Sequence, residues 1–90
     1  MIWTAFTSRP GAALDRVLAG ETIIIERRDS MWRLRLRAVK PDEVETLPRY
    51  DVWSRTKIRC WPDELWSKAK TRPILISRYG TIEAVLEVLP

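Results

Sequence analysis

Arg72-Pro-Ile-Leu-Ile-Ser-Arg-Tyr-Gly-Thr-Ile-Glu-Ala-Val-Leu-Glu-Val-Leu89 decides how the chain reads. The apolar run Ile74, Leu75, Ile76 meets a Tyr79-Gly80 turn. Beyond it Ala84, Leu86 and Val88 alternate with Glu83, Val85 and Glu87. That is the period of a half-buried strand, so the stretch predicts a β-hairpin. The same design stands earlier in the chain. Glu21-Thr-Ile-Ile-Ile-Glu-Arg-Arg28 predicts a strand and Asp29-Ser30 a turn, after which Trp32, Leu34, Leu36 and Ala38 alternate with Arg33, Arg35 and Arg37. Each copy follows a short helical stretch, so the chain reads as one supersecondary unit written twice.

Upstream of the first hairpin, Trp3-Thr-Ala-Phe6 predicts a short strand. Ser8 and Pro10 then open a helix whose buried face is Ala13, Leu14, Val17 and Leu18, and Gly20 closes it. In the second copy Arg55-Thr-Lys-Ile-Arg-Cys60 predicts a strand and Trp61–Lys70 a helix starting at Pro62. Asp63 and Glu64 at its start and Lys68 and Lys70 at its end suit the helix dipole. Leu65, Ala69 and one of Trp61 or Trp66 supply its buried face. Trp66 aligns with Asp15, which predicts partial exposure.

Ile23–Ile25 align with Ile74–Ile76 without a gap, but the last strands do not. One extra residue in the first turn matches Leu34 to Ala84 and Leu36 to Leu86, so that Arg33, Arg35 and Arg37 fall with Glu83, Val85 and Glu87 on the face away from the core. The expected organisation is a first unit over 1–39, an acidic, proline-containing connector over 40–52 and a second unit over 53–90. Two prolines make the connector an extended crossing with one turn at Pro41-Asp42. The predicted fold class is α+β: two βαββ units packed as an internal pseudo-dimer with a largely antiparallel sheet.

Charge follows the same division. The net +4 is made of +3 in residues 1–39, +3 in residues 53–90 and −2 in the connector. Two basic units joined by an acidic segment suit a nucleic-acid partner, and also describe an ordinary solvated surface. The chain has no histidine and a single cysteine, Cys60, so common metal sites, histidine-dependent nucleophiles and an internal disulfide are not expected. Cys60 reads as a small buried apolar residue. Carboxylates Asp42, Glu43 and Glu45 cluster only on the connector, so the expectation is a non-enzymatic protein without cofactor or metal. No run approaches the roughly 18 apolar residues of a membrane span and no signal-peptide pattern opens the chain, so a cytoplasmic protein without membrane contact is expected.

Ala19-Gly-Glu-Thr-Ile-Ile-Ile-Glu-Arg-Arg28 resembles the signature of the prevent-host-death (Phd/YefM) antitoxin family: A-G-E, an apolar run, two basic residues and a turn. Pro73–Leu86 resembles the family's hairpin, with Gly80 at the turn and Ala84 and Leu86 at the buried small-then-large pair. The two matches cover about 3–39 and 56–89. The resemblance implies a DNA-binding module that dimerises, sits on its own operator as a transcriptional regulator of a toxin-antitoxin system, and silences a toxin through a C-terminal extension. Two copies in one chain imply a covalent pseudo-dimer facing a short inverted repeat, with a homodimer of the whole chain left open. The chain departs from the family where Leu89-Pro90 directly follows the last strand. It departs again at the family's basic position before the helix, which falls on Thr7 and Ile58 with Arg9 and Arg59 close by, and at Asp29, which stands for the turn glycine.

Candidate site residues follow. Arg9 and Arg59, beside helix starts, are candidates for phosphate contact, against a reading as solvated loop arginines. Arg27, Arg28 and Arg78 border the hairpin turns, where they reach a DNA backbone or keep strand ends soluble. Arg33, Arg35 and Arg37 form a stripe that binds phosphate, pairs with Glu83 and Glu87, or meets an acidic partner protein. With Trp66 they make up the candidate partner-binding face of the alternative reading, a protein-interaction module that inhibits or escorts a toxin or another enzyme. The five tryptophans thicken a small core or mark an interface.

Overall fold

Trp3–Phe6, expected as a strand, is helical in the computed structural model, which describes residues 1–40, 42–46 and 51–89. Helix α1 (Trp3–Ser8) buries Trp3, Phe6 and Thr7, a spacing of three and four that belongs to one helix face rather than to a strand. It stops at Arg9 (φ −138°, ψ 67°), because the residue before a proline is pushed out of the helical region. Helix α2 (Pro10–Leu18) starts on Pro10 and buries Ala13, Leu14 and Val17. Its exit is a Schellman turn. Gly20 (φ +110°) donates to the Val17 carbonyl at 3.0 Å and Glu21 to that of Arg16 at 3.2 Å.

The second half repeats this plan, and corrects a second expectation. Arg55–Cys60, read as a strand, is helix α3. Ser54 caps it, its hydroxyl accepting from the Lys57 amide at 3.1 Å. The helix breaks at Trp61 (φ −132°, ψ 56°) before Pro62, as α1 breaks at Arg9 before Pro10. Helix α4 (Pro62–Ala69) follows, burying Leu65, Trp66 and Ala69. Each half therefore carries two helices where a βαββ unit carries one. Cys60, expected to be buried, is exposed at the end of α3.

Strands β1 (Ile23–Glu26), β2 (Arg33–Ala38), β3 (Val52–Ser54), β4 (Ile74–Arg78) and β5 (Thr81–Val88) form a mixed sheet in the order β1-β2-β5-β4-β3. The neighbours are antiparallel except β3, which runs parallel to β4. At the other edge the place of a first strand falls to Met1 and Ile2. Ile2 forms a parallel bridge with Glu26, and the Met1 ammonium donates to the Ile24 carbonyl at 2.9 Å.

Tyr79 and Gly80 both have positive φ (50° and 81°), the signature of a two-residue hairpin turn whose twist matches the strands. The β1–β2 loop, 27–32, is longer. The Ser30 amide donates to the Arg27 carbonyl at 3.1 Å, and the Ser30 hydroxyl accepts from the Trp32 amide at 3.1 Å. Register follows the reading with an extra residue in the first turn: Ile23 faces Leu36 and Ile25 faces Leu34, as Ile74 faces Leu86 and Ile76 faces Ala84.

The helices cover one face of this α+β sheet. There Ile25, Leu34, Leu36, Ile76 and Leu86 join Phe6, Leu14, Ile58 and Leu65 in one buried cluster. On the opposite face Leu75 pairs with Val85, both fully buried. The connector, expected to be extended, turns over 42–46, and Glu43 reaches Arg37 on that face. Pro41 of the expected Pro41-Asp42 turn lies outside the described residues, as do 47–50. Trp3, Trp53 and Trp66 are buried, while Trp32 and Trp61 are about half exposed.

Candidate nucleic-acid interface

Most of the described arginines are tied to a partner. Arg16 holds Glu21, Arg27 holds Asp29 and Asp63, Arg35 and Arg37 hold Glu87, Arg55 holds Glu83 and Asp15, and Arg72 holds Asp51. Arg78 lies over the ring of its neighbour Tyr79 at 5.4 Å. Among the described residues, Arg9, Arg28, Arg33 and Arg59 have neither a carboxylate nor a ring as partner. All four are exposed.

Two of the four meet. Arg9, at the bend between α1 and α2, and Arg59, in the last turn of α3, line one open groove of about 490 Å³ with Ser8, Pro10, Gly11, Ala12, Arg55 and Thr56. The sequence placed Arg9 and Arg59 in separate units; packing of α2 against α3 brings them together. Arg55 is the member that sequence reasoning missed, because its segment was read as a strand. The signal was present in Ser54, an N-cap residue immediately before it.

Arg55 is held rigidly. Its Nη2 lies 3.2 Å from Glu83 Oε2 and 3.6 Å from Asp15 Oδ1, while its buried Nε finds no acceptor among the described residues. Glu83 was expected on the far face beside the arginine stripe. A register shift between Ile76 and Ser77, which pairs Ser77 with Ile82, accompanies its engagement with α3 instead. Gly11 lets α2 approach this guanidinium, since a Cβ there would stand 3.1 Å from Arg55 Nη1.

The other candidates are spread. Arg27 and Arg28 lie in the β1–β2 loop and Arg78 at the β4–β5 turn, and the antiparallel pairing of β2 with β5 puts those two places at opposite ends of the sheet. Arg27 and Arg28 line a second groove of about 480 Å³ with Ile2, Trp3, Thr4, Thr7, Asp29, Pro62 and Asp63. Arg27 Nε is 2.9 Å from Asp29, and its Nη2 is 3.3 Å from Asp63.

No protein-family model, curated protein or solved structure matches the chain.

The arginine stripe is divided. Glu87 Oε1 accepts from Arg35 Nη2 at 2.7 Å and Arg37 Nε at 2.8 Å, and Arg37 also donates to Glu43. Burial pushes the Glu87 carboxyl up and is the largest single influence. Hydrogen bonds from Arg37 and Arg35, with the attraction of their charges, together outweigh it and hold the group below the usual carboxylate range. The hydrogen bonds that Arg37 donates to Glu87 and then to Glu43 raise Arg37 above its ordinary value. Arg33 alone of the stripe stays unpaired among the described residues.

Trp66, expected to be partly exposed, is 5% exposed. It meets Trp3 edge-on, with ring centroids 5.0 Å apart, and the Arg27 guanidinium covers its ring at 5.7 Å. Its ring is core, not partner surface. Among the described residues no group of His, Cys, Asp and Glu is placed to hold a metal ion, and no helix is long and apolar enough to cross a membrane.

Proposed function

We propose that the chain is a Phd/YefM-like DNA-binding regulator of the antitoxin type, built from two related units in one chain and acting on a short inverted-repeat operator without catalysis or cofactor. The observation that carries this reading is the convergence of Arg9 and Arg59, each exposed and unpaired among the described residues, on one groove with Arg55. Guanidiniums left without carboxylates and gathered on a helical surface suit the phosphate backbone, which supplies most of the affinity of nucleic-acid binding.

The duplicated architecture supports the family reading. Both halves run through two helices bent before a proline and then an antiparallel hairpin. β2 and β5 pair so that Leu34 faces Val88, Leu36 faces Leu86 and Ala38 faces Ala84. With Leu34 matched to Ala84 and Leu36 to Leu86, this pairing is what a two-fold axis through the centre of the sheet produces. Such a pseudo-dimer is the arrangement the family resemblance implies.

The test is a reporter fused to the DNA upstream of the chain's own gene. Expression of the chain should repress it, and R9A/R59A should release repression while accumulating to the same level. Unchanged reporter output with the intact chain present would contradict an operator-binding role.

A second reading has its own observation. Met31 is fully exposed and Trp32 half exposed in the β1–β2 loop, beside the unpaired Arg28 and Arg33. That surface suits a partner protein, a toxin or another enzyme, and would serve a protein-interaction module that does not touch DNA.

A further inference from the structure

We infer that the molecule presents its nucleic-acid-binding side only once: the groove between α2 and α3 takes backbone phosphates, and the corresponding groove between α1 and α4 is closed to them. This inference rests on the DNA-binding reading above and narrows it from two DNA-reading surfaces to one.

The correspondence comes from the two bent helix pairs. α1 and α3 each have six residues, and each is followed by a bend and a proline. Matching Pro10 with Pro62 places Trp3 on Arg55, Thr4 on Thr56, Thr7 on Arg59 and Asp63 on Gly11. Those residues line the two grooves: Arg55, Thr56 and Arg59 with Pro10 and Gly11 in one, and Trp3, Thr4 and Thr7 with Pro62 and Asp63 in the other. The same construction therefore occurs twice, with different side chains.

Each difference makes the second groove less positive, two by loss of an arginine and one by gain of an aspartate. Arg55 becomes Trp3, Arg59 becomes the buried Thr7, and Gly11 becomes Asp63. Among the described residues three arginines and no carboxylate line the α2–α3 groove, with Asp15 and Glu83 held by Arg55 at its side, against two arginines and two aspartates in the lining of the α1–α4 groove. Arg27 there is already bound to both aspartates, and Asp29 and Asp63 remain largely exposed, so they repel an approaching phosphate. In the α2–α3 groove Arg9 and Arg59 have no carboxylate among the described residues to give up before binding. Arg55 is fixed by Glu83 and Asp15, and its buried Nε lacks an acceptor among the described residues. A two-fold operator consequently takes two chains, one on each half-site.

Fluorescence anisotropy with a labelled duplex of about two helical turns, across a salt series, tests this. R9A/R59A should weaken binding by tenfold or more and lower the slope of log affinity against log salt by about 2, one for each phosphate contact. R27A/R28A should leave slope and affinity within about twofold of the parent, since phosphate contacts are what set the slope. D29N/D63N should steepen the slope by opening the second groove. Unfolding in urea checks that each variant is folded. An equal loss from R27A/R28A and R9A/R59A would overturn single-sided binding while leaving DNA binding standing. A parent protein with no salt-dependent binding to the duplex would overturn the DNA-binding reading itself, and this inference with it.

Discussion

Leu36 of β2 and Leu86 of β5 stand directly opposite one another at the centre of the sheet, and neither is exposed to solvent. The pair joins the two halves, because β2 and β5 are hydrogen-bonded neighbours from different halves and the same buried cluster includes residues of α1 through α4. The core of the described residues is thus one cluster shared by both halves.

Leu86→Ala should therefore destabilise the whole chain, by about 3 kcal/mol from lost burial and the cavity left behind. Urea unfolding followed by tryptophan fluorescence and by far-UV circular dichroism should give one coincident transition for parent and variant. Two separated transitions, only one of them moved by the substitution, would show that the halves fold independently.

Glu87 makes stability depend on pH. Its carboxyl is held below its ordinary range when folded, so its contribution is fully present above the unfolded value of about 4.3 and is lost as pH falls through the folded value. Glu87→Gln should cost about 1–3 kcal/mol near neutrality, where it leaves Arg35 and Arg37 short of a charged acceptor. The gap between parent and variant should hold from neutral pH down towards the unfolded value and shrink as pH falls below it. Denaturant midpoints at several pH values check this; a gap that widens on acidification would contradict the assignment.

Ser54 caps the helix Arg55–Cys60. Ser54→Ala removes the acceptor of the Lys57 amide and should cost about 1 kcal/mol, whereas Ser54→Asp should retain most of the stability. Thermal unfolding of the two variants distinguishes them. Equal losses would mean the side chain does not act as a cap.

Gly20 closes α2 at φ +110°, a conformation L residues rarely adopt, with open space where a Cβ would stand. Gly20→Ala should cost about 1–2 kcal/mol through backbone strain alone, and the crowding-free site leaves no other cause. Hydrogen exchange should show the added opening at the Gly20 and Glu21 amides, whose bonds to Val17 and Arg16 form the turn.

The sheet was largely legible in the sequence, because Leu34 and Leu36 alternate with arginines, Ala84 and Leu86 are flanked by Glu83 and Glu87, and Gly80 marks a turn. The two short helices were not. Trp3-Thr-Ala-Phe is too short for a period to be decided, and Arg55–Cys60 offers one core residue, Ile58, against five that are not buried. Proline has the same effect twice: Pro10 and Pro62 each open a helix, and each follows a bend after another helix that the proline pattern does not announce. Trp66 was misplaced by aligning it with Asp15. Matched through the prolines it corresponds to Leu14, which is buried too. In the candidate site, Arg9 and Arg59 were legible as individual residues near helix starts. Their meeting, and the tying of Arg27 to Asp29 and Asp63, depend on helix packing between the halves, which no local pattern encodes.

Anisotropy of the purified chain with the duplex upstream of its own gene and with a scrambled duplex, across a salt series, tests the central claim most directly. The account predicts preference for the upstream duplex and affinity that falls steeply as salt rises, because neutralised phosphates release counterions. Equal, weak binding to both duplexes would contradict it and leave the Met31–Trp32 surface, with a protein partner, as the reading to pursue.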